Sequence, residues 1–250
     1  MTRIVTLLTD FGTADGYVGE IKGVLLSNAP GCVVVDIAHD LAPQDVEGGR
    51  LALARYWHRF PVGTVHMAIV DPGVGGSRTA LAVESEGRML VGPDNGILSP
   101  ALLFPGARCI SLPVASSAAP TFHGRDVFAP AAALLAQGVA LDALGAPFSE
   151  PVVLRTPEAT RRADGATCGV VIAIDRFGNV VTNLIARAGG TVELGAHTIA
   201  IRRTYQDVAA GELVALVGSS GLVEIAIRDG NAARALAMER GSPVVLRQLS

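Results

Sequence analysis

Hydrophobic positions change texture about two thirds of the way along the chain. In the first part, short unbroken apolar runs alternate with longer stretches whose apolar residues recur every three or four positions. Residues 4–8, 32–37 and 64–70 are runs of the first kind and read as buried strands. Residues 17–28 carry Val18, Ile21 and Leu25 at helical spacing and stop at Pro30-Gly31. Asp45 is placed to cap a second helix carrying Leu51, Ala54 and Trp57. This β-α-β-α-β order predicts an α/β domain with a largely parallel central sheet covered by helices. Residues 81–84 and 89–92 predict a hairpin around Glu86-Gly87, which would make the sheet mixed. The alanine-rich stretch 126–137, closed by Gly138, predicts a further helix with Asp126 as its cap.

Beyond the helix the pattern breaks. Residues 146–166 hold three prolines and lack an apolar period, so they read as a linker. After it come short strand-like runs at 170–174, 180–184, 191–194, 198–201, 213–217 and 223–227, separated by Gly, Asn or Asp. Regular short strands with turn residues between them predict a smaller antiparallel β-barrel, interrupted by one short helix near 232–238. The expected organisation is an α/β domain over 1–146, a linker over 147–166 and a β-barrel domain over 167–250.

Composition narrows the function classes. Of 250 residues, 50% are apolar, 17% charged and 4% aromatic, enough aliphatic mass for a substantial core and too little charge for global disorder. The net charge of −3, with no Lys/Arg block, gives no footprint for nucleic acid. Cys32, Cys109 and Cys168 are isolated and form no CxxC pair, so buried free thiols are expected rather than disulfides or a thiolate zinc site. No signal-peptide pattern and no apolar run near the ~18 residues of a membrane span are present, which reads as a cytoplasmic protein without a membrane partner.

Ligands of parallel α/β sheets bind outside the carboxyl ends of the strands. Three loops in that position are rich in acids and glycine: Thr9-Asp10-Phe11-Gly12-Thr13-Ala14-Asp15, Asp36-Ile37-Ala38-His39-Asp40, and Asp71-Pro72-Gly73-Val74-Gly75-Gly76-Ser77-Arg78. Each alone reads equally well as a turn; together they favour a site that grips hydroxyls or cations. Gly73-Val74-Gly75-Gly76 lacks the Lys-Ser/Thr of a Walker loop, so its glycines serve a sharp bend or a close backbone approach. None of the five histidines forms an HxH or HExxH pair, and no metal site is expected. His123, in Thr121-Phe122-His123-Gly124-Arg125-Asp126, is either a structural histidine or a base titrating near neutrality. Asp175-Arg176-Phe177-Gly178-Asn179 is either a plain hairpin turn or a base-binding edge, in which Phe177 offers a π face and Asn179 an amide. Gly218-Ser219-Ser220-Gly221 is a turn or an anion-binding loop.

The strings TDFG (9–12), YVGEIKG (17–23), DIAHDLAPQDV (36–46), FPVGTVHMAIVDPGVGGSR (60–78), GPDNGIL (92–98), TFHGRDVFAPAA (121–132), IDRFGNVVTN (174–183), GSSGLVEIA (218–226) and GNAA (230–233) span nearly the whole chain. In this order they resemble the S-adenosylmethionine hydroxide adenosyltransferase family, relatives of fluorinating and chlorinating enzymes that use the same substrate. The resemblance implies hydrolysis of S-adenosylmethionine at the ribose 5′ carbon to adenosine and methionine, with no cofactor. It also implies a homotrimer with sites between one subunit's N-domain and its neighbour's C-domain. It assigns Asp71, Arg78 and His123 to the attacking water, Asp10 to the ribose hydroxyls and Asp15 to the methionine amine. It places Asp175, Asn179, Ser219 and Glu224 on the substrate and Phe177 beside adenine, and gives Asp94-Asn95 no role. Three other readings compete: a halogenase, a non-catalytic sensor of S-adenosylmethionine or adenosine, and a metal-dependent nucleotide hydrolase. The halogenating relatives carry an extra N-domain loop, and no such insertion lies between residues 78 and 121.

Overall fold

The computed structural model describes residues 3–187 and 189–248. The chain divides into two compact units, Met1–Leu154 and Arg155–Ser250. The N-terminal unit runs β1 (Ile4–Thr9), α1 (Tyr17–Asn28), β2 (Val33–Ala38), α2 (Val46–Tyr56), β3 (Val65–Ile69), β4 (Ala80–Ser85), β5 (Arg88–Pro93), α3 (Ser99–Leu102), β6 (Arg108–Leu112), α4 (Ala129–Ala136) and β7 (Ala146–Pro147). Its sheet has the order β2-β1-β3-β5-β4-β6-β7. The first four strands of that order are parallel, and β4, β6 and β7 join antiparallel. Strands covered on both faces lose the alternation of a half-exposed sheet, which is why β1 and β3 read as continuous apolar runs.

Successive residues of those strands feed opposite cores. Leu7, Met67 and Ile69 pack under α1 and α4 with Ile21, Leu25, Phe128 and Ala132. Leu8, Ala68 and Val70 face the other way, against Leu53 and Trp57 of the α2 region and Ile97, Leu98 and Ala101 around α3. Asp45 caps α2 as expected, its carboxylate accepting from the Gly48 N–H at 2.9 Å. The buried face of α2 is not the expected one. Ala54 is exposed and Leu51 half-buried, while Gly49, Arg50 and Leu53 point inward. The reason is the close approach at Gly49, where a Cβ would lie 2.9 Å from Ile97 Cδ1; this contact fixes the helix rotation and carries Leu53 and Trp57, each four residues further on, into the core. The Glu86-Gly87 hairpin is present, both residues with positive φ.

The C-terminal unit contains β8 (Thr160–Arg161), β9 (Thr167–Ile174), β10 (Val180–Thr182), β11 (Thr191–Leu194), β12 (His197–Arg202), β13 (Leu213–Val217), β14 (Val223–Ile227), α5 (Ala232–Ala235) and β15 (Pro243–Arg247). Pairing of β10 with both β14 and β9 closes seven strands into a barrel, with β8 appended to β9. All neighbours are antiparallel except β12 and β13, which run parallel through Ile201↔Ala215 and Arg202↔Leu216. Inward positions alternate along the strands, as in Val192/Leu194, Ile199/Ile201 and Val223/Ile225. All three cysteines are free, but only Cys32 is buried; Cys109 and Cys168 are half-buried, Cys109 packing against the core beneath α2 and α3.

Candidate active site

The sheet order β2-β1-β3 means that the chain leaves β1 to one side first and returns to its other side afterwards. The crevice at such a switch point lies between the carboxyl ends of β1 and β3. Thr9 pairs with Ile69, so the loops beginning at Asp10 and Asp71 emerge side by side. Asp10 is half-buried and its Oδ2 accepts the Gln44 N–H at 2.7 Å; Asp15, further along the same loop, is exposed. His39 closes this end of the sheet, with Nδ1 on the Thr9 hydroxyl at 2.8 Å, Nε2 3.1 Å from Asp36 Oδ1, and its carbonyl accepting the Gly12 N–H. Among the described residues no group of three or more His, Cys, Asp or Glu side chains is placed to hold a metal ion.

Asp71, Arg78 and His123 form one connected chain. Arg78 Nε donates to both Asp71 oxygens at 3.0 and 3.1 Å, and Nη2 donates to Oδ2 as well. The pair is nearly enclosed, with the Arg78 and Asp71 side chains 10% and 6% exposed. Arg78 Nη2 also lies 2.8 Å from His123 Nδ1. A guanidinium has no acceptor, so Nδ1 receives this hydrogen bond and the neutral ring carries its proton on Nε2. Burial and the Arg78 charge hold the His123 pKa below the ordinary histidine value, against opposing pulls from Asp71 and Asp126. Arg78 Nη1 is buried and has no hydrogen-bond partner among the described residues. The site therefore presents N–H donors and no vacant nitrogen acceptor.

Local backbone explains how residues so distant in sequence meet. Gly75 has φ +73, and a Cβ there would sit 2.2 Å from the Pro120 carbonyl oxygen; only glycine lets this loop lie against the segment that leads to His123. From His123 the chain enters a single π-helical turn, Gly124–Phe128, that runs directly into α4. The Ala129 N–H reaches back five residues to the Gly124 carbonyl, a spacing that stacks positions five apart. His123 and Phe128 are so spaced and both meet Arg78, whose Cζ stands 5.4 Å over the Phe128 ring. Asp126 does not cap α4, contrary to its place in the sequence. The π turn puts it inside the helical segment, where its carboxylate binds Arg125 and accepts the Ala119 N–H at 2.8 Å. Phe122 packs edge-on against Phe11 and Tyr17, joining the His123 segment to the loop that bears Asp10.

In the C-terminal unit, Asp175 is spent on its own hairpin: Oδ1 accepts the Phe177 and Asn179 N–H groups and Oδ2 the Asn179 amide, each at 2.9 Å. Asn179 is buried, while Phe177 at the tip is 76% exposed. Gly178 has φ +85, and a Cβ would strike the Asn231 side chain at 2.1 Å. Ser219 is exposed; Glu224 is buried and accepts from the Tyr205 hydroxyl at 3.3 Å. Sequence reasoning missed Phe128, which reads as ordinary core, and Tyr205, which sits in the crossover that makes β12 and β13 parallel. Phe128, five residues past a candidate catalytic histidine, leaves no signal unless the π turn is foreseen.

The models of the SAM hydroxide adenosyltransferase N-terminal and C-terminal domains match residues 5–145 and 169–245 respectively. The chain belongs to the SAM hydroxide adenosyltransferase family. Within this family it is similar to a protein of Thermus thermophilus named (R)-S-adenosyl-L-methionine hydrolase, with 44% identity over 98% of this chain and 99% of that protein. A fluorinase from Actinopolyspora mzabensis is a more distant relative, with 30% identity over 72% of this chain and 71% of that enzyme. The crystal structure of an uncharacterized conserved protein from Thermotoga maritima superposes with a TM-score of 0.88 at 30% identity, covering 98% of this chain and all of that one.

Proposed function

We propose that this member of the SAM hydroxide adenosyltransferase family hydrolyses S-adenosyl-L-methionine at the ribose 5′ carbon, with Asp71, Arg78 and His123 holding the attacking oxygen. The observation that carries the site assignment is the enclosed Asp71–Arg78–His123 chain with its unpartnered Arg78 N–H. Methionine departs as a neutral thioether because the sulfonium already bears the charge, so no general acid is needed. The difficult species is the nucleophile, since bulk water has a pKa near 15.7. The N–H donors of Arg78 and His123 would favour hydroxide over water electrostatically at an oxygen that met both. With Nδ1 occupied by Arg78, His123 serves as donor through Nε2 rather than as resting base. The C5′–O bond forms as the C5′–S bond breaks, and the water's proton passes to solvent. Asp71 neutralises Arg78, so the cationic substrate meets a pair of no net charge.

Asp10 would hold the ribose hydroxyls and Asp15 the methionine amine. Phe177 would present its open ring to adenine while Asn179, Asp175, Ser219 and Glu224 form its polar surround; the exposed Phe177 tip on a tightly bonded hairpin supports this reading. The enzyme would act in the cytoplasm as a homotrimer, without a cofactor, each site drawing on two subunits. Chelator-treated protein incubated with S-adenosylmethionine should yield equimolar adenosine and methionine, resolved by chromatography. His123→Ala and Arg78→Ala should each lower kcat by ~10²–10³, as expected for loss of one donor to a developing oxyanion. Unchanged turnover in both variants would remove the mechanism, and 5′-halo-adenosine formed with added halide would replace water as the nucleophile.

A further inference from the structure

The GPDNGIL segment, residues 92–98, has no part in the chemistry above, yet it lies under the loop that does. Strand β5 sits between β3 and β4 in the sheet. The loop that leaves β3 and returns in β4, carrying Asp71 at its start and Arg78 near its end, must therefore cross the carboxyl end of β5. Asp94 and Asn95 are the two residues that emerge there, directly after Pro93. Each grips one end of the crossing loop. The Asn95 side-chain amide donates to the Val70 carbonyl at 2.8 Å, immediately before Asp71. The Asp94 backbone N–H donates to the Thr79 carbonyl at 2.9 Å, immediately after Arg78.

The gripping turn is itself firmly set. Asn95 Oδ1 accepts the Ile97 N–H at 3.2 Å, and the Asn95 N–H bonds the Pro93 carbonyl at 3.0 Å. The Asp94 carboxylate accepts the Val152 N–H at 2.7 Å, and Ile97 and Leu98 are fully buried beside Val70 in the same core cluster. Val70 is also fully buried and lies one residue past the end of β3, so its carbonyl depends on Asn95 for a partner. No other described side chain is hydrogen-bonded to it.

We infer that Asn95 is a positioning residue for the hydrolysis, fixing where the Asp71–Arg78 pair stands relative to His123. The inference rests on the proposed role of that pair. Displacement of reacting groups by about 1 Å can cost ~10²-fold in rate, whereas the candidate substrate-binding acids, Asp10 and Asp15, belong to a different loop. A loss of clamping should therefore appear in kcat and leave KM nearly alone. It should also appear in the pH profile. Asp71, Asp126 and Arg78 are the charged groups that face His123, and a loosened Arg78 no longer opposes its protonation.

The test is Asn95→Asp, which keeps the shape and the Oδ1 acceptor for Ile97 but puts an oxygen in place of the N–H that faces Val70. Arg78→Ala and wild type are assayed beside it, with melting and light scattering to establish that the variants are folded and assembled alike. The expected result is a 10- to 100-fold lower kcat for Asn95→Asp, KM within about twofold, and an acid limb of kcat moved to higher pH. Wild-type kcat and pH profile in Asn95→Asp, with kcat of Arg78→Ala lowered ~10²–10³-fold, would overturn the clamp and leave the catalytic reading standing. Full activity in Arg78→Ala would overturn the catalytic reading beneath it. A kcat loss that merely parallels a melting loss, with the pH profile unmoved, would reduce Asn95 to a structural residue and also overturn the inference. Should Asn95→Asp fail to fold, Asn95→Ala, which brings no new charge against the Val70 carbonyl, is judged by the same criteria.

Discussion

Asp71→Asn preserves the shape of the side chain and removes its charge, stranding the Arg78 guanidinium in a site where that side chain is only 10% exposed. Breaking a buried ion pair from one side costs ~3–5 kcal/mol. An asparagine oxygen can still accept one of the Arg78 N–H groups, and the Phe128 ring still faces the cation, so the lower end applies, about 3 kcal/mol. For a unit of this size, each kcal/mol moves the melting temperature by about 2–4 °C, giving a shift of roughly 6–12 °C. The chain has one tryptophan, Trp57, and it is 1% exposed in the core of the N-terminal unit, so its fluorescence reports denaturation of that unit. The double variant Asp71→Leu/Arg78→Met strands no charge and should lose less stability than Asp71→Asn, despite carrying two substitutions. Asp71→Asn should also raise KM, because an uncompensated Arg78 repels the sulfonium. Coincident denaturation curves for wild type and Asp71→Asn would refute the reasoning, since the pair would then be solvated enough to carry no structural charge coupling.

Protonating His123 on Nδ1 expels the Arg78 hydrogen bond, so kcat should hold through neutrality and fall only in acid. The folded pKa lies below the ordinary value of about 6.5. The stability contributed by the neutral ring is accordingly complete above about 6.5 and is lost as pH falls toward and through the lower folded value. A kcat profile whose acid limb is centred at or above 6.5 would speak against this environment. Gly178→Ala forces a side chain into Asn231 at a positive φ and should destabilise the barrel by ~1–3 kcal/mol. It should also raise KM more than it lowers kcat; circular-dichroism melts and Michaelis curves test both, and a neutral variant would show that the hairpin tip is not held as described. Asp45→Ala should cost ~1 kcal/mol through loss of the α2 cap, measured by Trp57 fluorescence in urea; an unchanged midpoint would mean that the cap carries nothing.

Much of the fold was legible because its local and tertiary preferences agree. Strands β1 and β3, buried on both faces, leave plain apolar runs, Asp45 stands where a cap is needed, and Glu86-Gly87 supplies the positive φ of a tight hairpin. The run at 32–37 reads as buried too, but β2 is the sheet's edge strand and none of its residues is buried. Legibility failed where a contact from elsewhere decided the outcome. The rotation of α2 depends on Gly49 meeting Ile97, which its apolar spacing does not encode. Strand β6 carries polar and apolar residues in no strict alternation, and β15 opens with proline, so neither stood out as a strand. The parallel β12–β13 pair depends on the path of a crossover rather than on any strand's composition. At the candidate site, acid-rich loops at strand ends marked the place, but Arg78 and His123 are 45 residues apart, and their hydrogen bond sets the tautomer only once both are positioned. Asp94-Asn95-Gly96 reads locally as a turn; its hold on Val70 and Thr79 comes from the strand order of the sheet.

The most direct test of the central claim is turnover of S-adenosylmethionine in ¹⁸O-labelled water, with the mass of the released nucleoside measured for wild type and Arg78→Ala. Attack at C5′ by an oxygen held on Arg78 and His123 requires ¹⁸O in the 5′-hydroxyl of adenosine, equimolar methionine and product formed ~10²–10³-fold more slowly by the variant. Unlabelled adenosine, a halogenated nucleoside, or undiminished labelled product from Arg78→Ala would contradict it.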